Sequence, residues 1–219
     1  FQNIISIDNL NWEYGSPNYS NIVIVNFPSL DRIGGNLILN YEYSLREFNA
    51  PKLREINRVK VGYNTIEKFL LPKLLSIAGG GFISQNENLE EIDLDSLEEI
   101  LDTFAINDNN LLSVINLNNF YKGRRYDGYH GGGLYINENS NLKTINFGTG
   151  LDLEARIYIG HNEKLEEINV NNITNVVSGV INIQNNETLK SVSFNSLKSS
   201  NDVKDKKYWS EPYISIGSN

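Results

Sequence analysis

Apolar residues recur along the chain in two short alternating bursts, separated by corners rich in Gly, Asn and Pro. The segment NENLEEIDLDSLEEI, from Asn86 to Ile100, returns as NSNLKTINFGTGL from Asn139, NEKLEEINVNNITNV from Asn162 and NETLKSVSFNSL from Asn186. More divergent copies are YSLREFNAPKLREI from Tyr43, YNTIEKFLLPKLLSI from Tyr63 and NNLLSVINLNNF from Asn109. They share N-x-x-L-x-x-I-x-Φ-x-x-L-x-x-I, where Φ is Phe, Leu, Val or once Ala. The first anchor of the pattern falls at Ile22, Leu45, Ile66, Leu89, Leu112, Leu142, Leu165 and Leu189. Its spacings are 23, 21, 23, 23, 30, 23 and 24 residues. A fixed period of this length marks a solenoid, whose single turns cannot bury an apolar face and must stack.

The alternation has period two and is dominated by Ile, Val, Phe and Tyr, which predicts strands. Ahead of each copy lies a second alternating pair, such as Leu37 and Leu39, Val59 and Val61, Leu134 and Ile136, or Ile157 and Ile159; Ile214 and Ile216 supply the last one. LEEIDLDSLEEI alone could form a helix. Its copies LREFNAPKLREI and LEEINVNNITNV carry Pro or β-branched residues that make a helix costly. Each turn therefore reads as two short strands followed by a looser third side. The expected fold is all-β: a right-handed parallel β-helix or leucine-rich-repeat-type solenoid of about nine turns of ~23 residues. It forms a single domain over residues 1–219: an N-terminal cap or first turn (1–21), the repeats (22–197), then an insertion and last turn (198–219). Trp12 and Tyr14 are expected to cap one end, Tyr208 and Trp209 the other. The domain is expected either to stand alone or to belong to a larger protein.

The corners carry their own chemistry. Pro28, Pro51 and Pro72 share one position directly after Φ, where a residue without an N–H suits a bend at a strand end. Later copies place Asp95, Asn118, Gly148, Asn171 and Asn195 there, all turn formers. Asn86, Asn109, Asn139, Asn162 and Asn186 stand three residues before the anchor, where stacked carboxamides would form a structural ladder. A second series (Asn26, Asn49, Asn116, Asn146 and Asn169, with Asp93 and Ser193 in phase) is expected to point outward on a polar flank.

The motif N-x-x-L-x-x-I-x-Φ-P-x-L-x-x-I, followed by a Gly corner and L-x-I-x-x-N, resembles the repeats of receptor L domains. RIGGNLILN, VVSGVINIQNNETLKSVSF and LYINENSNLKTINF carry the resemblance. Such repeats occur in the ligand-binding modules of insulin- and epidermal-growth-factor-type receptors and in fungal GPI-anchored cell-wall proteins. LPKLLSIAGGGFISQNENLEEI also resembles the BspA-like leucine-rich repeats of bacterial surface proteins. The resemblance covers about residues 20–197. It implies an extracellular or cell-surface location, with a lipoprotein or GPI-type anchor, and protein or carbohydrate partners. Receptor L domains usually carry Cys-pinned ends, which this Cys-free chain lacks, so the bacterial or lower-eukaryotic surface proteins are the better match.

Composition narrows the chemistry. With 19 basic and 27 acidic residues the net charge is −8, which argues against nucleic acid or an anionic membrane surface as partner. Zero Cys excludes disulfides, Cys-ligated metals and thiol catalysis. Neither metal-ligand spacing nor a catalytic constellation emerges from the two His, so no cofactor, no metal and no enzymatic activity are expected. Of the 34 Asn residues, ten stand at the two fixed phases of the repeat.

The candidate binding residues gather around the 30-residue spacing. The insertion in NNFYKGRRYDGYHGGGLYI supplies Arg124, Arg125, Tyr126, Tyr129 and His130 to an otherwise acidic chain. Insertions into solenoid turns project from one face and often carry binding residues. Along the outward position of the first strand run Ile38, Lys60, Phe82 or Ile83, Ala105, Tyr135, Tyr158, Asn182 and Ser215. Tyr135 and Tyr158 should be neighbours beside the insertion, near Arg156. Together these observations suggest a non-catalytic recognition or adhesion domain without direct membrane insertion. A structural cell-wall spacer and a polysaccharide-acting β-helix enzyme are the alternatives.

Overall fold

The computed structural model describes residues 2–13, 21–123, 133–148, 152–153, 156–170, 175–176, 180–196 and 213–219, and the account below concerns these. The chain is all-β, and every strand pair in it is parallel. It winds as a three-sided β-solenoid.

Side one holds the longest strands, among them Arg32–Asn40, Glu55–Gly62, Gly133–Asn137, Arg156–Gly160 and Val180–Gln184. Its sheet runs unbroken to the last strand, Tyr213–Gly217. Side two carries three- and four-residue strands, from Ile24–Asn26 to Ser191–Ser193. Side three carries two-residue strands such as Ser76–Ile77 and Glu99–Ile100. Sides one and three belong to one 13-stranded sheet because Arg32–Asn40 and Glu55–Gly62 continue round the corner between them.

The register is the sequence period made visible. Leu39 pairs with Val61, Val61 with Ile83, Ile83 with Ile106, Ile106 with Ile136, and so on to Ile216. The extra residues of the 30-residue turn leave this pairing intact: Phe104 still meets Leu134. A one-residue slip would turn every inward side chain to solvent, so the apolar column holds the register against insertions elsewhere in the turn. One continuous core runs from Val25 to Ile183, and Trp12, Leu189, Phe194 and Ile214 pack on it partly buried. Trp12 lies in a side-one strand, Leu10–Glu13, paired with Leu37–Asn40. Tyr14, Tyr208 and Trp209 lie outside the described residues.

The solenoid makes about seven full turns rather than nine. Among the described residues side two has eight strands, which enclose seven turns (8 − 1 = 7). At the ends, Leu10–Glu13 leads into the first side-two strand, Ile24–Asn26, whereas Tyr213–Gly217 adds a side-one strand with no side-two strand after it among the described residues. Counting each alternating burst as a turn overstates the number, because a turn requires the corner and the second strand as well.

The three sides are not equally continuous. Side two is split into two four-stranded sheets, the break falling between Glu91–Asp93 and Val114–Leu117. Among the described residues the side-three ladder ends at Lys122–Gly123, and Asp152–Leu153 pairs with Asn175–Val176 in a separate two-stranded sheet. Side one alone, among the described residues, carries backbone pairing from one half of the molecule to the other. At Gly81, φ is +135° and a Cβ would stand 1.7 Å from the Val59 carbonyl oxygen, so this rung of side one admits only glycine.

The prolines sit where a turn requires them. The Leu30, Leu53 and Leu74 N–H groups donate to the carbonyls of Phe27, Ala50 and Leu71 at 3.3, 3.1 and 3.0 Å. Pro28, Pro51 and Pro72 thus occupy the second position of a β-turn, whose φ the pyrrolidine ring already provides. Asp95 and Asn118 hold the same place in later turns, with Leu97 donating to Leu94 and Phe120 to Leu117.

Candidate functional site

Tyr135 and Tyr158 are direct partners on adjacent side-one strands, and both point outward, half-buried. Their ring centroids are 6.1 Å apart and the planes are tilted by 35°, a geometry that aromatic pairs favour. Gln184, one rung further, donates its Nε2 to the Tyr158 hydroxyl at 2.5 Å. The Tyr158 ring lies across Gly160 of its own strand: a Cβ there would stand 2.9 Å from the ring carbon and the hydroxyl oxygen. Arg156 faces outward at the start of the same strand, paired with Gly133. Arg124, Arg125, Tyr126, Tyr129 and His130 lie outside the described residues. They enter the chain between Lys122–Gly123 and Gly133–Asn137, directly before the strand that carries Tyr135.

The outward column resolves at its one ambiguous rung. Phe82 pairs with Lys60 and Ala105 and is half-buried, whereas Ile83 points inward and is fully buried. Ile38, at the start of the column, is only 9% exposed and belongs to the buried set. Outward position in a strand therefore does not guarantee a contact surface.

Asn86, Asn109, Asn139, Asn162 and Asn186 are fully buried at the corner between sides one and two. Asn139 shows the repeating arrangement. Its Nδ2 donates to its own strand at Asn137 O and to the previous turn at Ile106 O, both at 2.9 Å. Its Oδ1 accepts from the Asn109 backbone N–H at 3.1 Å and the Asn109 carboxamide at 3.4 Å. Each residue is also the first of a β-turn, with the anchor N–H returning to its carbonyl, as Leu142 N–H does to Asn139 O at 3.0 Å. Asparagine is favoured at that position.

Two members of this column escape the sequence pattern. Asn64 donates to Leu39 O at 2.6 Å and accepts from Glu42 N–H at 2.7 Å. It stands two residues before its anchor Ile66 rather than three, in the turn shortened to 21 residues. The Asn86 Oδ1, next in line, has no hydrogen-bond partner, so the ladder is interrupted where the spacing changes. At the far end Asn219 accepts from the Asn186 backbone N–H at 3.1 Å.

A further column went unread in the sequence: the residue directly before each ladder position has positive φ. These are Tyr41, Tyr63, Gln85, Asp108, Glu138, His161, Asn185 and Ser218, with φ between 52° and 61°. The signal was available as a fixed offset from the ladder, but the residue types share no chemistry that would have marked it. Tyr41 and Tyr63 stack at 4.9 Å with planes 13° apart. Asn185 Nδ2 and His161 Nε2 are 3.1 Å apart. Burial raises the Asp108 pKa above the usual carboxylate range, helped by the charge and the hydrogen bond of Glu138 one rung away.

Elsewhere the acidic side chains follow ordinary surface logic. Glu91 pairs with Lys68 at 3.3 Å and Glu99 with Lys122 at 3.5 Å, both between turns. Burial, then the neighbouring Asp93, raises the Asp95 pKa. Lys190 donates to Glu166 at 2.7 Å and, first by that hydrogen bond and then by its charge, lowers the Glu166 pKa. Among the described residues no group of three or more His, Asp and Glu could hold a metal ion, and no helix is long and apolar enough to cross a membrane. No family model matches the chain, and neither a curated protein nor a solved structure is significantly similar to it.

Proposed function

We propose that this solenoid is a non-catalytic recognition or adhesion domain of a secreted or cell-surface protein, which engages protein or glycan partners through its outward side-one face. The observation that carries the reading is the Tyr135–Tyr158 pair, braced by Gln184 on the sheet side that is longest and, among the described residues, the only unbroken one. Rigid, half-exposed aromatics with a polar tip supply contact area at low entropic cost, and such residues dominate binding energy at interfaces. Arg156 adds a guanidinium on the Tyr158 strand, and the Arg124–His130 segment precedes the Tyr135 strand in sequence.

The purified chain applied to a glycan array and to a surface-protein pull-down should select a partner. Replacing Arg124, Arg125, Tyr135 and Tyr158 together with Ala should then abolish capture while thermal unfolding stays unchanged. Undiminished capture by the quadruple variant would remove the basis for this reading.

A further inference from the structure

Between the positive-φ column and the residues just after the buried asparagines runs a furrow parallel to the solenoid axis. Two open stretches, of about 480 and 730 Å³, share Asp108 and Asn110 and so form one channel from Tyr43 to Ser218. One lip side chain on each edge recurs per turn, a rise of about 4.8 Å. That rise is comparable with the length of one sugar ring in an extended chain.

Three features point to an occupant. First, eight successive corners keep a side chain at positive φ, where glycine would relieve the strain, although the chain has 17 Gly. Second, the furrow changes character along its length. At one end Tyr63 and Tyr43 are 44% and 48% exposed, and Tyr63 is stacked on Tyr41, which makes an aromatic platform. Further along, carboxamides, hydroxyls and carboxylates replace the rings, as at Gln85, Asn110 and Ser140. Third, the backbone beneath is already paired. Asp108 N–H donates to Asn137 O at 3.2 Å and Asn109 N–H to Asn139 Oδ1 at 3.1 Å, so an extended peptide finds no open edge to join.

We infer that this furrow binds an uncharged linear polysaccharide lying along the solenoid axis. The tyrosines stack on sugar rings at one end, and the polar lips take hydroxyl groups, one turn to about one sugar. Glu87, Glu163 and Glu187 on the lips repel anionic polymers and disfavour nucleic acid or uronate chains. The site is separate from the Tyr135–Tyr158 face and does not rest on the proposal made for it.

Affinity electrophoresis of the whole chain in gels containing hydroxyethylcellulose, glucomannan, laminarin or glycol chitin tests the inference, with polygalacturonate as anionic control. At least one neutral polymer should retard the protein and polygalacturonate should not. Tyr41→Ala with Tyr63→Ala should weaken that retardation about tenfold or more, the loss of about one good contact. A second variant, Gln85→Gly with Asp108→Gly and Asn185→Gly, places glycine where φ is positive and keeps the fold. It should unfold at or above the native temperature and show weakened binding. Retardation by none of the four polymers, preference for polygalacturonate, or wild-type affinity in the folded triple-glycine variant would each overturn the inference. If Tyr135→Ala with Tyr158→Ala alone abolishes retardation, the furrow is likewise overturned and the glycan belongs to the tyrosine face.

Discussion

Two columns of asparagine climb this solenoid with the same period and occupy very different environments. One, at the corner between sides one and two, is sealed from water from Asn86 to Asn186. The other runs along side two, where Asn146 donates to Asn116 at 2.7 Å and Asn169 to Asn146 at 2.9 Å, all half-buried. Both make side-chain bonds from turn to turn. In the buried column the carboxamides also bond main-chain carbonyls and, from Asn109 onward, the N–H group of the ladder residue one turn back. In the half-buried column water can replace every bond that is lost. The residue type and spacing are shared, and burial alone sets how much each ladder stabilises.

The sharpest way to break this comparison is Asn139→Ala. It strands Ile106 O and the Asn109 N–H inside the fold. At roughly 1–3 kcal/mol for each buried group left unsatisfied, about 3 kcal/mol should be lost in urea denaturation. Asn146→Ala is the matched control on the half-buried column. It removes two similar side-chain bonds yet should cost less than about 1 kcal/mol, because solvent takes over. Equal losses from the two substitutions would show that burial does not separate the columns.

The smallest effect sharpens the boundary between the two environments. Asp108 stands one residue outside the buried ladder, with a pKa raised by burial and by Glu138. A raised pKa means that the folded state holds the proton more tightly than the unfolded state. The charge penalty is therefore present above the raised value and is relieved as pH falls through it toward the unfolded value. Asp108→Asn should raise the thermal midpoint at neutral pH and remove that relief on acidification. The gain should stay within the ~1 kcal/mol typical of solvent-screened surface charges.

Much of the architecture was legible beforehand because a solenoid repeats its evidence every turn. Leu39, Val61, Ile83 and Ile106 share a phase in the sequence and a column in space, and the extra residues before Gly133 do not disturb it. Candidate sites were harder to read. Tyr135 and Tyr158 could be placed as neighbours because adjacent rungs follow from the period. The residues lining the furrow could not, because Tyr63, Gln85, Asp108 and His161 have nothing in common except the backbone conformation imposed on them. Asn64 was hidden by a one-residue shortening between the ladder and its anchor, which spacing alone reads as a different position.

By itself, the sequence determined that strands form, that they stack in parallel, and which side chains turn inward. These follow from period-two hydrophobicity recurring about every 23 residues, a purely local pattern repeated. Only the tertiary structure decided how completely the corner asparagines are buried, where the side-two sheet divides, and how many turns are complete. Those properties depend on what each corner meets in the turns above and below it, and that contact exists only once the turns have stacked.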